Sequence, residues 1–351
     1  MIPLTFVDCS EIVSPVHLFA PSELSPDLNC HTFVTAFFDI GRGDWSVGDT
    51  SVAREDRSAS VYLERFEYLA RLKNPLIVVT ESRYSEPVLA ARRRHGLERL
   101  TIVVTIDRLF ERPEIVRLVA AIEARMANPV FRRMLRIPDL PEFSRPYYTT
   151  IVNLKTAFCR TVIDLGLVPT TNLSWIDFGY CRFESSLKVE EPWAFPINDK
   201  IHLFHVMELQ NLPILTIVRS GEMYMIANHM CASVENWLFF HEQMRYSLDC
   251  LLECGLVDDE QTLMLMCVRR HPDRYMLHAL SKKAWFSTFE AVEQSASKDI
   301  VMARPRVRFH SRLPAWLEEL AWAYGRSQFR ARLRSLRRKV KAGFRALLPA
   351  R

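Results

Sequence analysis

The chain has 351 residues, 49% hydrophobic and 25% charged, which supplies a packed core and exceeds one minimal domain. No uncharged run exceeds about a dozen residues, short of the roughly 20 that a spanning helix needs, so a transmembrane helix is not expected. The net charge of +5 conceals a split: residues 326–351 hold ten of the 46 Lys and Arg and no acid, leaving the rest at 36 basic against 41 acidic residues.

The first residues carry Asp8 and Glu11 and no basic n-region, so a secretory signal is not expected. The eight cysteines are scattered and are expected to stay reduced in a cytoplasmic setting. His31–Phe38 reads as a buried strand, followed by a Gly-containing loop over Asp39–Asp49. Ser60–Leu72 has helical spacing, Pro75–Thr80 is a β-branched strand, and Pro87–His95 is a helix closing at Gly96. Leu100–Thr105 is a further strand. Pro113 opens a helix with Ile115, Leu118, Val119, Ile122 and Met126 on one face, stopped at Asn128-Pro129. Thr149–Leu167 reads as one helix and Leu173–Ile176 as a strand running into Asp177-Phe178-Gly179. Ile201–Val206 alternates as a strand, and Ile214–Val218 with Met223–Ile226 reads as a hairpin about Ser220-Gly221. Helices are predicted over Ser233–Cys254 and Asp258–Arg269, a loop over Glu290–Lys298, and helix again from Pro314.

Strands alternating with helices predict an α/β fold, a mostly parallel mixed sheet of Rossmann type flanked by helices. Ligands of such sheets bind beyond the carboxyl ends of the strands. Three strand ends finish in polar residues: Asp39 to Arg42, Thr80 to Arg83, and Asp177 to Arg182. Common signatures fail. Gly41-Arg42-Gly43 lacks the third glycine of a dinucleotide fingerprint, and no Gly-Lys-Ser/Thr ending of a P-loop exists. His241-Glu242 has Arg245 where a zinc-protease helix needs its second His, no Gly-x-Ser-x-Gly occurs, and Cys250 with Cys254 reads as a packed helix face.

The feature that survives is Trp175-Ile176-Asp177-Phe178-Gly179-Tyr180-Cys181-Arg182. A carboxylate follows a buried strand beside a glycine that permits close backbone approach. Such a carboxylate can organise a diphosphate, directly or through Mg²⁺ or Mn²⁺, or it can simply cap the following turn. In Gly255-Leu256-Val257-Asp258-Asp259-Glu260-Gln261, Asp258 and Gln261 suit a capping box. Alternatively, Asp259 or Glu260 faces the pocket and deprotonates an acceptor hydroxyl.

The strings Thr35-Ala36-Phe37-Phe38-Asp39-Ile40-Gly41-Arg42, Tyr62-Leu63-Glu64-Arg65-Phe66, Asn74-Pro75-Leu76, Asn128-Pro129, Lys155 and Trp175–Gly179 resemble the bacterial HtrL/YibB-like (WlaTC) family. The resemblance spans roughly residues 31–290. It implies a GT-A-like glycosyltransferase domain tied to lipopolysaccharide or other surface glycans, taking a nucleotide-sugar donor, most simply a UDP-sugar, and a glycan or glycolipid acceptor. It also implies a divalent cation, Mn²⁺ or Mg²⁺, at Asp177. Such enzymes commonly carry Asp-x-Asp there, whereas Asp177-x-Gly179 lacks the second carboxylate, which leaves metal dependence open. By their place at strand ends, Thr35, Asp39, Arg42, Thr80 and Gly179 would line the donor. Lys155 would face the diphosphate or remain a solvated lysine, and His229 would touch the sugar or acceptor or be a core histidine.

Residues 1–30 read as an N-terminal extension, 291–325 as a helical linker, and 326–351 as a basic tail. In the tail Phe329, Leu333, Leu336, Val340, Phe344 and Leu347 fall on one helical face, with Arg330, Arg334, Arg337, Arg338 and Lys341 around it. A cationic amphipathic helix suits an anionic membrane surface, at about 1 kcal/mol per basic residue. Nonspecific RNA or DNA binding and docking on an acidic partner are the alternatives; no specific nucleic acid is expected. The expected location is cytoplasmic, peripheral to the inner membrane.

Overall fold

A computed structural model describes residues 30–45, 57–187, 191–281 and 284–294. The basic tail, the predicted linker beyond Gln294 and the predicted N-terminal extension before Cys30 lie outside the described residues. Where apolar β-branched runs lack a helical period, strands buried on both faces form: β1 (His31–Phe37), β2 (Leu76–Thr80), β3 (Thr101–Thr105) and β4 (Asn172–Ile176). β5 (Ile201–His205), β6 (Met225–Ser233) and β7 (Tyr275–Ala279) follow. The seven strands join in the order β3-β2-β1-β4-β6-β5-β7. β6 runs against both its neighbours, and every other adjacent pair is parallel. This is the mostly parallel mixed α/β sheet that the strand–helix alternation and the resemblance imply.

Alternation within each strand divides the core. Val34, Ile77, Val79, Ile102, Val104, Leu173 and Trp175 point to one face, covered by helices Pro113–Met126, Lys155–Asp164, Val234–Glu253 and Glu260–Arg270. Phe33, Phe37, Leu76, Val78, Val103 and Ile176 point to the other, under helices Ala59–Leu69 and Ser85–Arg94.

Arg92 shows how one of those helices is fixed. It is fully buried, and its guanidinium donates to the carbonyls of Ala70, Leu72, Asn74 and Leu100 and to the Thr101 hydroxyl. Burial pulls its pKa down to about 9. The side chain satisfies carbonyls that would otherwise be orphaned where three segments turn together.

Several sequence expectations need correction. The predicted Thr149–Leu167 helix is two helices, Pro146–Asn153 and Lys155–Asp164, broken at Leu154. There the Leu154 N–H bonds to Ile151 O at 3.2 Å, a tightened three-residue turn. The predicted hairpin does not form: Ile214–Ser220 is a helix, entered from Pro213 and ended by left-handed Gly221 (φ 60°). Proline at the start and glycine past the end override the β-branched content. The predicted Asp258–Gln261 capping box gives way to a simple cap one residue on: Asp259 is the N-cap and accepts from Gln261 N–H at 3.1 Å, while Asp258 accepts from Asp259 N–H and the Thr262 hydroxyl. The expected loop at Glu290 lies within a helix, Thr288–Gln294, whose Phe289 packs on the His229 ring at 4.7 Å.

Candidate functional site

The chain runs β1, β2, β3 outward and then returns to the other side of β1 to make β4. The sheet order therefore reverses between β1 and β4, and the crevice beyond their carboxyl ends is open, which is where parallel sheets bind ligands. A cleft of about 190 Å³ lies there. Phe38 and Arg42 enter it after β1; Asp177, Phe178, Gly179 and Arg182 enter after β4. Asn228 of β6 and Glu260 and Gln261 of the Glu260–Arg270 helix complete its floor, with Tyr62, Tyr148, Trp285 and Phe286 among its walls.

At the centre, Lys155 Nζ lies 2.7 Å from Asp177 Oδ1 and 2.8 Å from Glu260 Oε1, and donates to Ala227 O at 3.0 Å. The Trp175 indole N–H also donates to Asp177 Oδ1, at 2.9 Å. The break at Leu154 makes Lys155 the first residue of its helix, where the dipole disfavours a positive charge. The side chain is nonetheless buried, at 7% exposure. Burial alone would lower the Lys155 pKa, but Asp177 and Glu260 outweigh it and hold the ammonium charged above its ordinary range. Burial pushes the Glu260 carboxyl up, opposed chiefly by the same ammonium. Three buried oxygens of the lining, Glu260 Oε2, Asn228 Oδ1 and Gln261 Oε1, have no hydrogen-bond partner. Unpaired buried acceptors beside a cleft mark places for a ligand's donors.

The basic side of the cleft holds Arg42, Arg57 and Arg182. Arg42 donates to Tyr62 Oη at 2.7 Å, and its guanidinium sits 5.2 Å from the Tyr62 ring centroid and 5.4 Å from that of Tyr148. Burial raises the Tyr62 phenol, yet the charges of Arg42 and Arg57 prevail and bring it below its usual value. Gly179 lies against the same ring: a Cβ there would be 2.9 Å from Tyr62 Cδ1 and Cε1. The glycine thus serves a close approach.

The structure brings Asp177, Glu260, Lys155, Arg42 and Gly179 together and places the other candidates elsewhere. Thr35 is buried within β1 on the face of Phe33 and Phe37. The Thr80 hydroxyl donates to Phe37 O at 2.6 Å and ties β2 to β1. Asp39 accepts from Gly41 N–H at 3.0 Å and from Tyr84 Oη at 3.3 Å, with Arg83 at 3.8 Å. Asp259 caps its helix and faces a separate small depression with Glu142, Glu222, Tyr224 and Asp258. Burial pushes Asp258 in that depression up to about 7. His229 is fully buried on β6, its Nδ1 2.9 Å from Thr288 Oγ1. It stacks with Phe204 and Phe289 in a cluster that also contains His31, His202 and His278. Sequence reasoning passed over Arg57, Tyr148, Asn228 and Gln261; nothing but folding brings them to the crevice.

The divalent cation implied by the resemblance can be tested against this donor set. The space between the two carboxylates is taken by the Lys155 ammonium, at hydrogen-bond distances from both. Among the described residues no group of three or more His, Cys, Asp or Glu side chains is placed to hold a metal ion. The residues present do not fit an ion held between Asp177 and Glu260.

Fold and cleft define an α/β protein with a mixed-charge cleft at the switch point of its sheet. The sequence profile of the family described as "Bacterial protein of unknown function (HtrL_YibB)" matches residues 29–294. Protein HtrL of Escherichia coli (strain K12) is 31% identical over 265 residues, 74% of this chain and 90% of that protein. The chain belongs to the HtrL/YibB family.

Proposed function

We propose that the protein is a nucleotide-sugar-dependent glycosyltransferase. The observation that carries this reading is the Asp177–Lys155–Glu260 cluster in a cleft whose other charges are arginines. Transfer breaks the bond from the sugar's anomeric carbon to the diphosphate and forms one to an acceptor oxygen, releasing a nucleoside diphosphate and the acceptor's proton. Arg42, Arg57 and Arg182 supply positive charge to the departing diphosphate. The Tyr and Trp walls offer apolar faces for a base and a sugar ring. Asp177 orients the donor sugar. If the reaction inverts, Glu260 Oε2 receives the acceptor proton; of the two carboxylates weighed for that role, Asp259 is occupied as a helix cap.

The resemblance supports a UDP-sugar as donor and a lipopolysaccharide or other lipid-linked surface glycan as acceptor. No helix among the described residues is long and apolar enough to cross a membrane. The basic tail supplies attachment to the cytoplasmic membrane face in this reading. Truncation after Gly325 is expected to abolish flotation of the protein with anionic vesicles; retained, salt-sensitive flotation of the truncated chain would refute that role. The missing second carboxylate at Gly179 favours one rival, a nucleotide- or glycan-binding scaffold without turnover. Release of nucleoside diphosphate from a panel of nucleotide sugars, with and without glycan acceptors, separates the two: binding without release supports the scaffold.

A further inference from the structure

Two carboxylates that share a cleft repel one another unless a cation lies between them. Metal-dependent phosphate sites supply that cation as Mg²⁺ or Mn²⁺, held by oxygens at about 2.1 Å. Here it is attached to the chain. An ammonium has three N–H donors, and Asp177 Oδ1, Glu260 Oε1 and Ala227 O, at 2.7, 2.8 and 3.0 Å, account for all three. The lysine stands at a helix start, against the dipole, and is buried. Local propensity opposes that placement, so the surrounding acids must secure it. The charged lining of the cleft comprises Lys155, Arg42, Arg57 and Arg182 against Asp177 and Glu260. Lys155 offsets one of the two acid charges and the three arginines outweigh the other, so the lining keeps an excess of two positive charges, which matches a diphosphate.

We propose that Lys155 is the resident cation of the site, a positioning residue that replaces a divalent metal ion, so that an anionic phosphate ligand binds without one. The inference rests on reading the cleft as a nucleoside-diphosphate site. Lys155 does not touch the ligand; it holds Asp177 and Glu260 together and keeps their charge from the phosphates.

The test is a Mn²⁺ titration of the full-length chain followed by electron paramagnetic resonance, beside calorimetry with UDP in EDTA and in Mn²⁺. Wild-type protein is expected to hold no stoichiometric Mn²⁺, and its UDP affinity to change less than about twofold between the two conditions. Lys155→Ala frees the carboxylates and is expected to create one Mn²⁺ site per chain, which Asp177→Asn added to it removes. A merely structural lysine would not exchange for a metal. Stoichiometric Mn²⁺ on the wild-type chain overturns the proposal, as does a UDP affinity raised about tenfold or more by Mn²⁺. A folded Lys155→Ala variant that takes no Mn²⁺ overturns it too. The wild-type titration decides even where the variant does not fold. Wild-type protein that binds no UDP in either condition refutes the nucleotide reading instead, and the Mn²⁺ arm then judges Lys155 alone.

Discussion

Gly179 and Tyr62 meet at a distance that no other residue type allows. A methyl group at position 179 would stand 2.9 Å from two ring carbons of Tyr62, which is itself fixed by Arg42. Gly179→Ala is expected to lower stability by about 1–3 kcal/mol, read by denaturant unfolding, because the ring must leave its place. Removing the ring in Tyr62→Ala should then make the glycine change nearly neutral, a coupling that a double-mutant cycle measures. Individual site residues were partly legible in the sequence. Asp177 stood out because a carboxylate after a buried strand, next to glycine, is an uncommon ending. Lys155 and Glu260 were legible only as candidates, since their pairing spans 105 residues of chain. Thr35, Asp39, Thr80 and His229 were also candidates, but strand ends offer local partners as readily as ligands. Thr80 serves the sheet, Asp39 its own turn, and His229 the core.

At the scale of elements, β1 to β4 are legible because largely apolar runs without a helical period have few other fates, and β5 through its alternation, whereas β6 is legible only at its first residues and β7 not at all. The break at Leu154 was not legible. Leu154 has ordinary right-handed angles (φ −88°, ψ −3°), and nothing in its type interrupts a helix. Tertiary bonds on either side, Asn153 Nδ2 to Asp258 O and Lys155 Nζ to Ala227 O, turn the second helix so that its first residue faces the cleft. Ile214–Ser220 misled in the opposite way: of its β-branched residues only Ile217 and Val218 are buried, and the flanking Pro213 and Gly221 decide. The helix Ser85–Arg94 depends on Arg92 to close the neighbouring carbonyls. Arg92→Met keeps the length of the side chain but takes its donor from four carbonyls and from the Thr101 hydroxyl. It is expected to cost more than about 3 kcal/mol in urea unfolding, whereas changes at the exposed Arg93 should leave the transition nearly unmoved.

For the whole molecule, the buried histidines set a limit on acid stability. Burial lowers His31, His241 and His278 to about 4 and His202 to about 3, and holds His229 well below its usual value. An unfolded chain protonates these groups near pH 6.5, while the folded one holds them neutral. Their contribution is therefore complete above about pH 6.5 and is lost as pH falls through 6.5 toward 4. With five such groups the loss reaches about 7 kcal/mol per pH unit, enough to unfold an ordinary domain within that window. Tryptophan fluorescence against pH checks this, with a cooperative transition expected between pH 6.5 and 4; a flat signal to pH 4 would contradict it. The charge split of the sequence takes on a sharper meaning beside the cleft. The acidic excess of the first 325 residues coexists with a cleft whose own lining is positive.

The most direct measurement is the initial rate of nucleoside diphosphate release from a nucleotide-sugar panel, for the full-length chain and for its Asp177→Asn and Glu260→Gln variants. Wild-type turnover with at least one donor, reduced at least about 100-fold in each variant while their melting transitions remain, is the expected result. Turnover unchanged by either substitution, or none with any donor, would contradict a glycosyltransferase site at this cleft.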